Sequence, residues 1–508
     1  MPCKGHLLRQ AKAVIPAVVD KNNKEWSMNN KKQQAQALLG LALLSGFMVA
    51  AGPVQAGGYS TPTFGAQGWG RAFGGGSLFK NDPSSAYNNP AAMAFIDQTI
   101  AQQNVIYARI NIKFKGNAYD YKGDPTSSGV MDEFGGVTST PREGNGGEAG
   151  FTAWLPTGFL VIPINDRFSF GLSQVVPQGM KSTWDQDWKG RDFAVDTKIE
   201  TVGLTGSLSF KVNDQFSIGA GAIVQHSTGF VSQNVDLYAA AAVSPGLGGF
   251  GIPFPSGVGQ SLMRVKVDNT SVGWFAGLAW KPTEKDTLGF NYHAKIKNKM
   301  EGKYNIYADP GSRLLMTDAG GDGLTLVERA YPGLKLFPDG ANASTQLDIP
   351  ATAAIDWVHV FNDRFSLGAS MLWTQWSSFK ALTLKSDGNT IVSIPYKYRD
   401  VMMYSLGGDY KLTDDFTLRA GVAYDQTPTR NSTRDPRIPD GDRYFASLGF
   451  GYDIKAIPGL SIDGAYSRQF VEQVKLKTVN VDRLGAARLD GKVDSKGEVV
   501  SLSATYKF

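Results

Sequence analysis

Asn165-Asp166-Arg167-Phe168-Ser169-Phe170-Gly171-Leu172 is a turn followed by a short run whose apolar residues fall on every second position. The same grammar returns at Asn213-Asp214-Gln215-Phe216-Ser217-Ile218-Gly219, at Asn362-Asp363-Arg364-Phe365-Ser366-Leu367-Gly368 and at Asp414-Asp415-Phe416-Thr417-Leu418. Thr283–Asp286 and Ile457–Gly459 open comparable runs. Paired Asn and Asp favour tight turns because their side chains bond nearby backbone groups and tolerate left-handed φ. A period of two marks extended strand, since successive side chains point to opposite faces. Large apolar residues on one face and Ser, Thr or Gly on the other fit a wall with lipid outside and an enclosed lumen inside.

The chain ends on the same pattern. Val500, Leu502, Ala504 and Tyr506 share one face, and Ser501, Ser503, Thr505 and Lys507 share the other, before a terminal Phe508. Near the beginning, Ile106, Ala108, Ile110, Ile112 and Phe114 share a face opposite Tyr107, Arg109, Asn111 and Lys113. Six tight turns on one side imply seven long loops on the other, and with both chain ends on the turn side the strands number fourteen. The expected fold is therefore all-β, a 14-stranded antiparallel transmembrane β-barrel. A soluble β-sandwich or propeller would need both sheet faces covered, and neither explains short turns alternating with long loops. A ring of that size encloses more space than its own side chains fill, so it needs a wide pore or a plug. The glycine-rich, weakly periodic stretch 57–103 is placed to be that plug, with the barrel over 104–508.

Residues 1–56 read as a leader with a signal peptide that is removed. Lys31 and Lys32 precede the apolar run Leu38–Ala51, and Val54-Gln55-Ala56 is a small-residue cleavage site. The run is too short to span a bilayer, which takes about 20 residues. Met28 stands where a signal peptide would begin, which leaves Met1 and Met28 as alternative starts. Seven of the 51 Lys/Arg and two of the 46 Asp/Glu lie in the leader, leaving 44 of each sign. The basic balance therefore belongs to targeting, and no nucleic-acid footprint remains. The one cysteine, Cys3, leaves with the leader, so the remainder has no disulfide, no thiolate metal site and no thiol nucleophile.

In the stretch ahead of the barrel, Phe64-x3-Gly68-x-Gly70-Arg71-Ala72, then Asp82, then Asn89-Pro90-Ala91, resemble the hatch of the FadL/TodX family of outer-membrane transporters of long-chain fatty acids and hydrocarbons. The likeness continues through Val161–Phe168, Asn213–Gly221, Trp373–Phe379 and Ile438-Pro439-Asp440-Gly441-Asp442-Arg443-Tyr444-Phe445. It implies a barrel in the bacterial outer membrane closed by an N-terminal hatch containing Phe64, Arg71, Asn89, Pro90 and Ala91. It further implies ligand capture by extracellular loops, passage to an interior apolar pocket, and sideways exit where the third strand kinks inward.

Several segments fit those roles. The third strand meets Pro177-Gln178-Gly179, where proline removes a ladder donor and glycine permits a bend; Pro177 and Gly179 are the lateral-gate candidates, unless Pro177 merely ends the strand at its loop. From Leu237 to Met263 there is no charged residue. That loop holds Leu247, Phe250, Ile252, Phe254 and Leu262, an apolar surface suited to capture or to packing against the rim. Leu314, Leu315, Met316, Leu334, Leu336 and Phe337 of the next loop would complete a groove. A carboxylated ligand would need a cation inside. Parity directs Arg109, Lys295, Arg419 and Arg443 inward, opposite lipid-facing Ile110, Ile296, Leu418 and Tyr444; pairing of these cations with lumenal acids such as Asp463 is the alternative.

No enzyme is expected. His226, His293 and His359 form no cluster with metal or triad spacing, and Gly68-x-Gly70 neither follows a strand nor opens a helix as a phosphate loop would. No cofactor is implied. The expected function is passive transport of long-chain fatty acids or similar lipids and hydrocarbons. The expected partners are the hydrophobic ligand, outer-membrane lipid and lipopolysaccharide, and the barrel-assembly machinery, with the chain acting as a monomer. A general aqueous porin and a surface adhesin or receptor barrel are the alternatives.

Overall fold

A computed structural model describes residues 58–120, 122–131, 137–236, 260–307, 321, 340–482 and 485–508. The leader, the capture candidates Leu247, Phe250, Ile252 and Phe254, and the apolar residues of the next loop lie outside these.

The turns close as their side chains require. Asn165 Oδ1 accepts from the N–H of Arg167 and of Phe168, each at 2.9 Å, and Asn213 and Asn362 do the same for the residues two and three ahead. At the fifth turn the hydroxyl of Thr413 takes this part, accepting from Phe416 N at 3.1 Å.

Fourteen antiparallel wall strands rise from these turns. Eight are continuous among the described residues. The first is Ile100–Tyr119, the second Phe151–Pro163, the fourth Asp196–Lys211, the fifth Phe216–Asp236 and the sixth Gln260–Trp280. The eleventh is Phe416–Asp425, the twelfth Arg443–Asp453 and the fourteenth Gly485–Lys507. The rest come in two pieces. These are the third (Phe168–Val175, Gly179–Thr183), the seventh (Asp286–His293, Lys299–Tyr307) and the eighth (Ala341–Gln346, Thr352–Val360). The ninth (Phe365–Thr374, Ala381–Ser386), the tenth (Asn389–Pro395, Val401–Lys411) and the thirteenth (Leu460–Val471, Val474–Asp482) complete the set. The first strand pairs with both the second and the fourteenth, so the ring closes.

Not every far-side connection is a long loop. Ser386 and Asn389 are joined through Asp387 and Gly388, whose φ angles of 46° and 83° give a tight hairpin. The thirteenth and fourteenth strands stay paired up to Asp482 opposite Gly485. At both places the ladder itself extends outward where a loop was expected.

The two faces change character along the wall. Near the turns Phe168, Ile218, Leu418 and Leu502 are exposed on the outside, while Ser169, Ser217 and Ser503 are buried inside. Higher up the code inverts. Ile106, Ile110, Ile112 and Phe114 are buried in the interior, whereas Arg109, Lys113 and Lys115 stand exposed outside. Val265 and Val267 likewise face inward beside exposed Arg264, Lys266 and Asp268. Arg109 is therefore not a lumenal cation: alternation fixes which residues share a face, but hydrocarbon surrounds only the lower part of the wall.

Breaks produce a second inversion. His293 points inward, but residues 294–298 leave the ladder, and the bridge between Ile296 and Ile349 turns Ile296 inward and Lys295 outward. Lys295 pairs with Asp348 at 2.7 Å. It too lies outside the lumen, because an irregular segment shifts the parity of everything beyond it.

Residues 58–99 fill the lower interior with short helical turns at Ala66–Gly70, Ser85–Asn88 and Pro90–Phe95. The first wall strand starts at Ile100, four residues before the expected boundary. Inward hydroxyls hold this segment: Ser207 donates to Ala86 O at 2.7 Å, Ser217 to Ala91 O at 2.8 Å and Ser370 to Phe73 O at 3.2 Å, while Ser503 accepts from Ala66 N at 2.7 Å. In four of the six turn repeats the glycine of the run is a seat for it. A Cβ on Gly171 would meet Ala86 and Met93, one on Gly219 would lie 2.6 Å from Ala91 N, one on Gly289 would meet Asn89 and Leu78, and one on Gly368 would lie 2.7 Å from Gly75 Cα.

Gly219→Val should therefore lift the Pro90–Ala91 turn off the wall. In planar bilayers the parent should conduct few ions and the variant clearly more; equal, low conductance from both would show that this seat does not hold the segment down.

Candidate functional site

The third wall strand carries the main defect in the barrel. Pro177 offers no N–H, so the strand leaves the ladder after Val175 and resumes at Gly179. Pro177 thus interrupts the strand rather than ending it. Below the break the strand pairs with both neighbours, from Gly158 opposite Gln174 to Pro163 opposite Ser169 on one side. Above it, Gly179–Thr183 pairs only with the fourth strand, and among the described residues no register joins it to the second. The wall is consequently unzipped between the second and third strands at the level of Pro177.

The N-terminal segment fills in for the missing ladder. Thr61 N donates to Pro177 O and Gly179 N donates to Tyr59 O, both at 2.9 Å, and Ser60 bridges to Gln178. Gly58 N donates to Asp440 Oδ2 at 3.1 Å. Tyr59 is 1% exposed, packs edge-on against Trp376 with ring centres 4.6 Å apart, and donates its hydroxyl to Asp348 O at 3.0 Å. Burial, with the Asp348 charge adding to it, pushes the Tyr59 phenol well above its ordinary pKa, so it stays a donor at neutral pH.

Two cavities meet at this strap. The lower one, about 1340 Å³ counted to its mouth, lies between the N-terminal segment and the wall and reaches from Phe64, Phe73 and Tyr87 to Pro177 and Gln178. Its polar lining includes Asn291, His293, Asp356 and Asp425 but no Lys or Arg. His293 is packed between Phe275, ring centres 5.0 Å apart, and Tyr87 at 4.7 Å. Burial also raises the Tyr87 phenol. The upper cavity, about 730 Å³, is almost wholly apolar, with Met180, Val265, Met300, Phe379 and Ile394 among its walls. Tyr59 and Trp376 belong to the apolar cluster around the upper cavity, and Trp376 also lines the lower one.

The segment is locked below the strap by charge. Arg71, 1% exposed, binds Asp82 and Asp409, each at 3.2 Å, with its guanidinium 3.8 Å from the ring centre of Phe79. Asp409 also binds Arg419, which reaches Asp463 at 2.8 Å, and Asp463 accepts from Gln67 at 2.8 Å. Asn89 accepts from Ala91 N at 3.2 Å, which starts the helical turn at Pro90, and donates to Leu278 O of the wall at 3.1 Å. Arg71, Asn89, Pro90 and Ala91 thus meet the wall directly, while Phe64 faces the lower cavity.

The remaining candidates divide. Arg419 and Arg443 do point inward, but Arg419 is shared by Asp409 and Asp463, and Arg443 is buried on Asp440. Leu262 lies on the sixth strand with the outward parity of Arg264, away from the upper cavity. Sequence reasoning passed over Tyr59 and the roles of Trp376 and Asp440. Trp376 sits between two runs of period two, in a stretch that fits neither, and that irregularity was the available signal.

A family model described as "Outer membrane protein transport protein (OMPP1/FadL/TodX)" matches residues 47–508. A long-chain fatty acid transport protein of Escherichia coli O6:H1 is 23% identical over 462 residues, covering 89% of this chain and 94% of its own length. Outer membrane protein P1 of Haemophilus influenzae is 26% identical, with 88% and 92% covered. The crystal structure of a Pseudomonas aeruginosa FadL homologue is 66% identical, with TM-score 0.84, and covers 89% of this chain and all of its own. The toluene transporter TbuX of Ralstonia pickettii, 17% identical with TM-score 0.59, covers 88% and 98% and shares the fold.

Breaking the buried ion network tests the lock. Arg71→Ala leaves Asp82 without its cation and Asp409 with Arg419 alone, and should loosen the segment by about 3–5 kcal/mol, read as faster proteolytic cleavage within residues 58–99 of the folded barrel. Protection equal to the parent's would assign the seating to packing alone.

Proposed function

Because this chain belongs to the family of outer membrane transport proteins that includes FadL and TodX, we propose that it passes long-chain fatty acids, or similar lipids and hydrocarbons, through the outer membrane by way of its two cavities and a sideways exit. Family members are transport channels and not enzymes. No cofactor enters this reading.

The observation that carries the proposal is the unzipped wall beside Pro177, reached from inside by the lower cavity and lined on the third strand by the bonded strap Tyr59–Thr61. Ligand enters the apolar upper cavity from the extracellular loops, Leu247, Phe250, Ile252 and Phe254 among the capturing residues. It displaces the Tyr59 strap and moves through the lower cavity to the gap shaped by Pro177 and Gly179. The hatch, residues 57–103, stays seated, so the route to the periplasmic end remains closed. A hydrophobic solute gains by leaving sideways, since hydrocarbon and not water lies beyond the gap. With no Lys or Arg on the lower cavity's lining, shape and hydrogen bonding guide the ligand there in place of a free cation. The chain acts as a monomer, placed by the barrel-assembly machinery in a leaflet of lipopolysaccharide.

Gly179→Trp should fill the gap and lower uptake of labelled oleate at least tenfold while the barrel still assembles and shows heat-modifiable migration; unchanged uptake would remove the lateral exit. Deleting residues 240–258 should reduce oleate bound to whole cells several-fold, and undiminished binding would take capture away from that loop. Mass spectrometry of apolar molecules co-purified with the parent identifies the ligand class.

A further inference from the structure

On the outside of the barrel, three lysines stand in one row across three adjacent strands. Lys475 of the thirteenth strand lies directly opposite Lys492 of the fourteenth, and Lys492 lies directly opposite Lys115 of the first. All three are exposed, and none forms an ion pair with another described residue. Like charges directly opposite each other destabilise a sheet. The neighbouring rows avoid this: Arg109 and Arg468 flank Glu498, Lys113 faces Asp494, and Lys477 faces Asp490. The sixth and seventh strands hold two like-charged pairs, Lys266 opposite Lys303 and Asp268 opposite Glu301, but uncharged Asn342 and Ser344 follow on the eighth. The triple row is an exception that calls for an external anion.

Its height identifies that anion. Exposed Phe470 stands opposite Lys496; below it the apolar outer face continues at Tyr107, Tyr466 and Val500, with the row of Glu498, Arg109 and Arg468 just above those three. Lys492 lies six residues farther along its strand, roughly 14 Å above that row for a strand tilted about 45°. Lys496 lies between. The basic groups thus span the layer where phosphates of a surface glycolipid sit, and lysine stems reach toward such groups from above. Counting Arg109, Lys113, Lys115, Arg468, Lys475, Lys477, Arg488, Lys492 and Lys496 against Glu472, Asp490, Asp494 and Glu498, this face carries more than twice as many bases as acids.

We propose that the outer face of the first, thirteenth and fourteenth strands is a lipopolysaccharide site, in which phosphate oxygens bridge Lys115, Lys475 and Lys492. The proposal rests on the outer-leaflet setting given above and not on transport. A bound phosphate converts a repulsive row into charge-assisted hydrogen bonds.

The test uses the full-length barrel in detergent, titrated by calorimetry with phosphorylated lipopolysaccharide and with the same lipid after dephosphorylation. The parent should bind the phosphorylated form at least tenfold more tightly, and added salt should weaken it. The triple variant K115Q/K475Q/K492Q, checked for heat-modifiable migration, should lose that preference. The double variant K113Q/K477Q, whose lysines face acids, should stay within about twofold of the parent. Equal binding of both lipids by the parent overturns the proposal without needing any variant, and so does a folded triple variant that keeps the preference. An equal loss in the double variant would reduce the row to general surface charge. None of these readouts involves uptake, so a failure here leaves the transport reading untouched.

Discussion

A ring of fourteen strands encloses more volume than its own side chains occupy, and an empty interior of that width would be a water-filled hole. The architecture follows from filling it. The first forty residues of the described chain are folded back into the lumen, and the wall is built to receive them. Glycines remove side chains where backbone must approach backbone, and serines opposite carbonyls replace water as donors. A buried network of two arginines and three aspartates then joins segment to wall. Buried charges are tolerable only when paired, so the network favours one seating over others.

The wall meets two solvents in succession. Low on the barrel, lipid lies outside and the polar N-terminal segment lies inside, so strands are apolar outward and hydroxyl-rich inward. Above the bilayer the outside is wet, and the interior is a cavity lined by methionine, valine and aromatic rings. One strand carries both codes, as Ile100–Tyr119 shows by passing from inward Gln102 and Asn104 to inward Ile112 and Phe114. A hydrophobic molecule arriving from water therefore finds apolar surface inside the barrel before it reaches the depth of the membrane.

Breaks in the ladder lie between that surface and the lower cavity. The irregular segments of the third, seventh, eighth and ninth strands all border the lower cavity, and Pro177, Ile296, Ile349 and Trp376 from them line it. Where regular wall would present alternating side chains at fixed spacing, these segments turn apolar groups inward regardless of parity. Among the described residues the break at Pro177 leaves the second and third strands unpaired above it, and there Tyr59–Thr61 bonds to Pro177 and Gly179 of the third strand.

The sequence alone determined the architecture: six Asn/Asp-type turns, alternate apolar positions and a terminal aromatic require a lipid-facing barrel, because period two and turn chemistry are local properties. It also placed Pro177 and Gly179 at a defect and marked Arg71 and Asn89-Pro90-Ala91 as special. It did not determine which face is inside. Arg109 and Lys295 were assigned to the lumen and stand outside it, one because the solvent changes along the strand and the other because residues 294–298 reset the parity. It left open whether Arg419 and Arg443 meet a ligand or pair with acids, and it did not reveal that the glycines of the turn repeats are seats or that three lysines from positions 115, 475 and 492 share a row. Those facts depend on register between distant strands, which local pattern does not encode and only closure of the ring fixes.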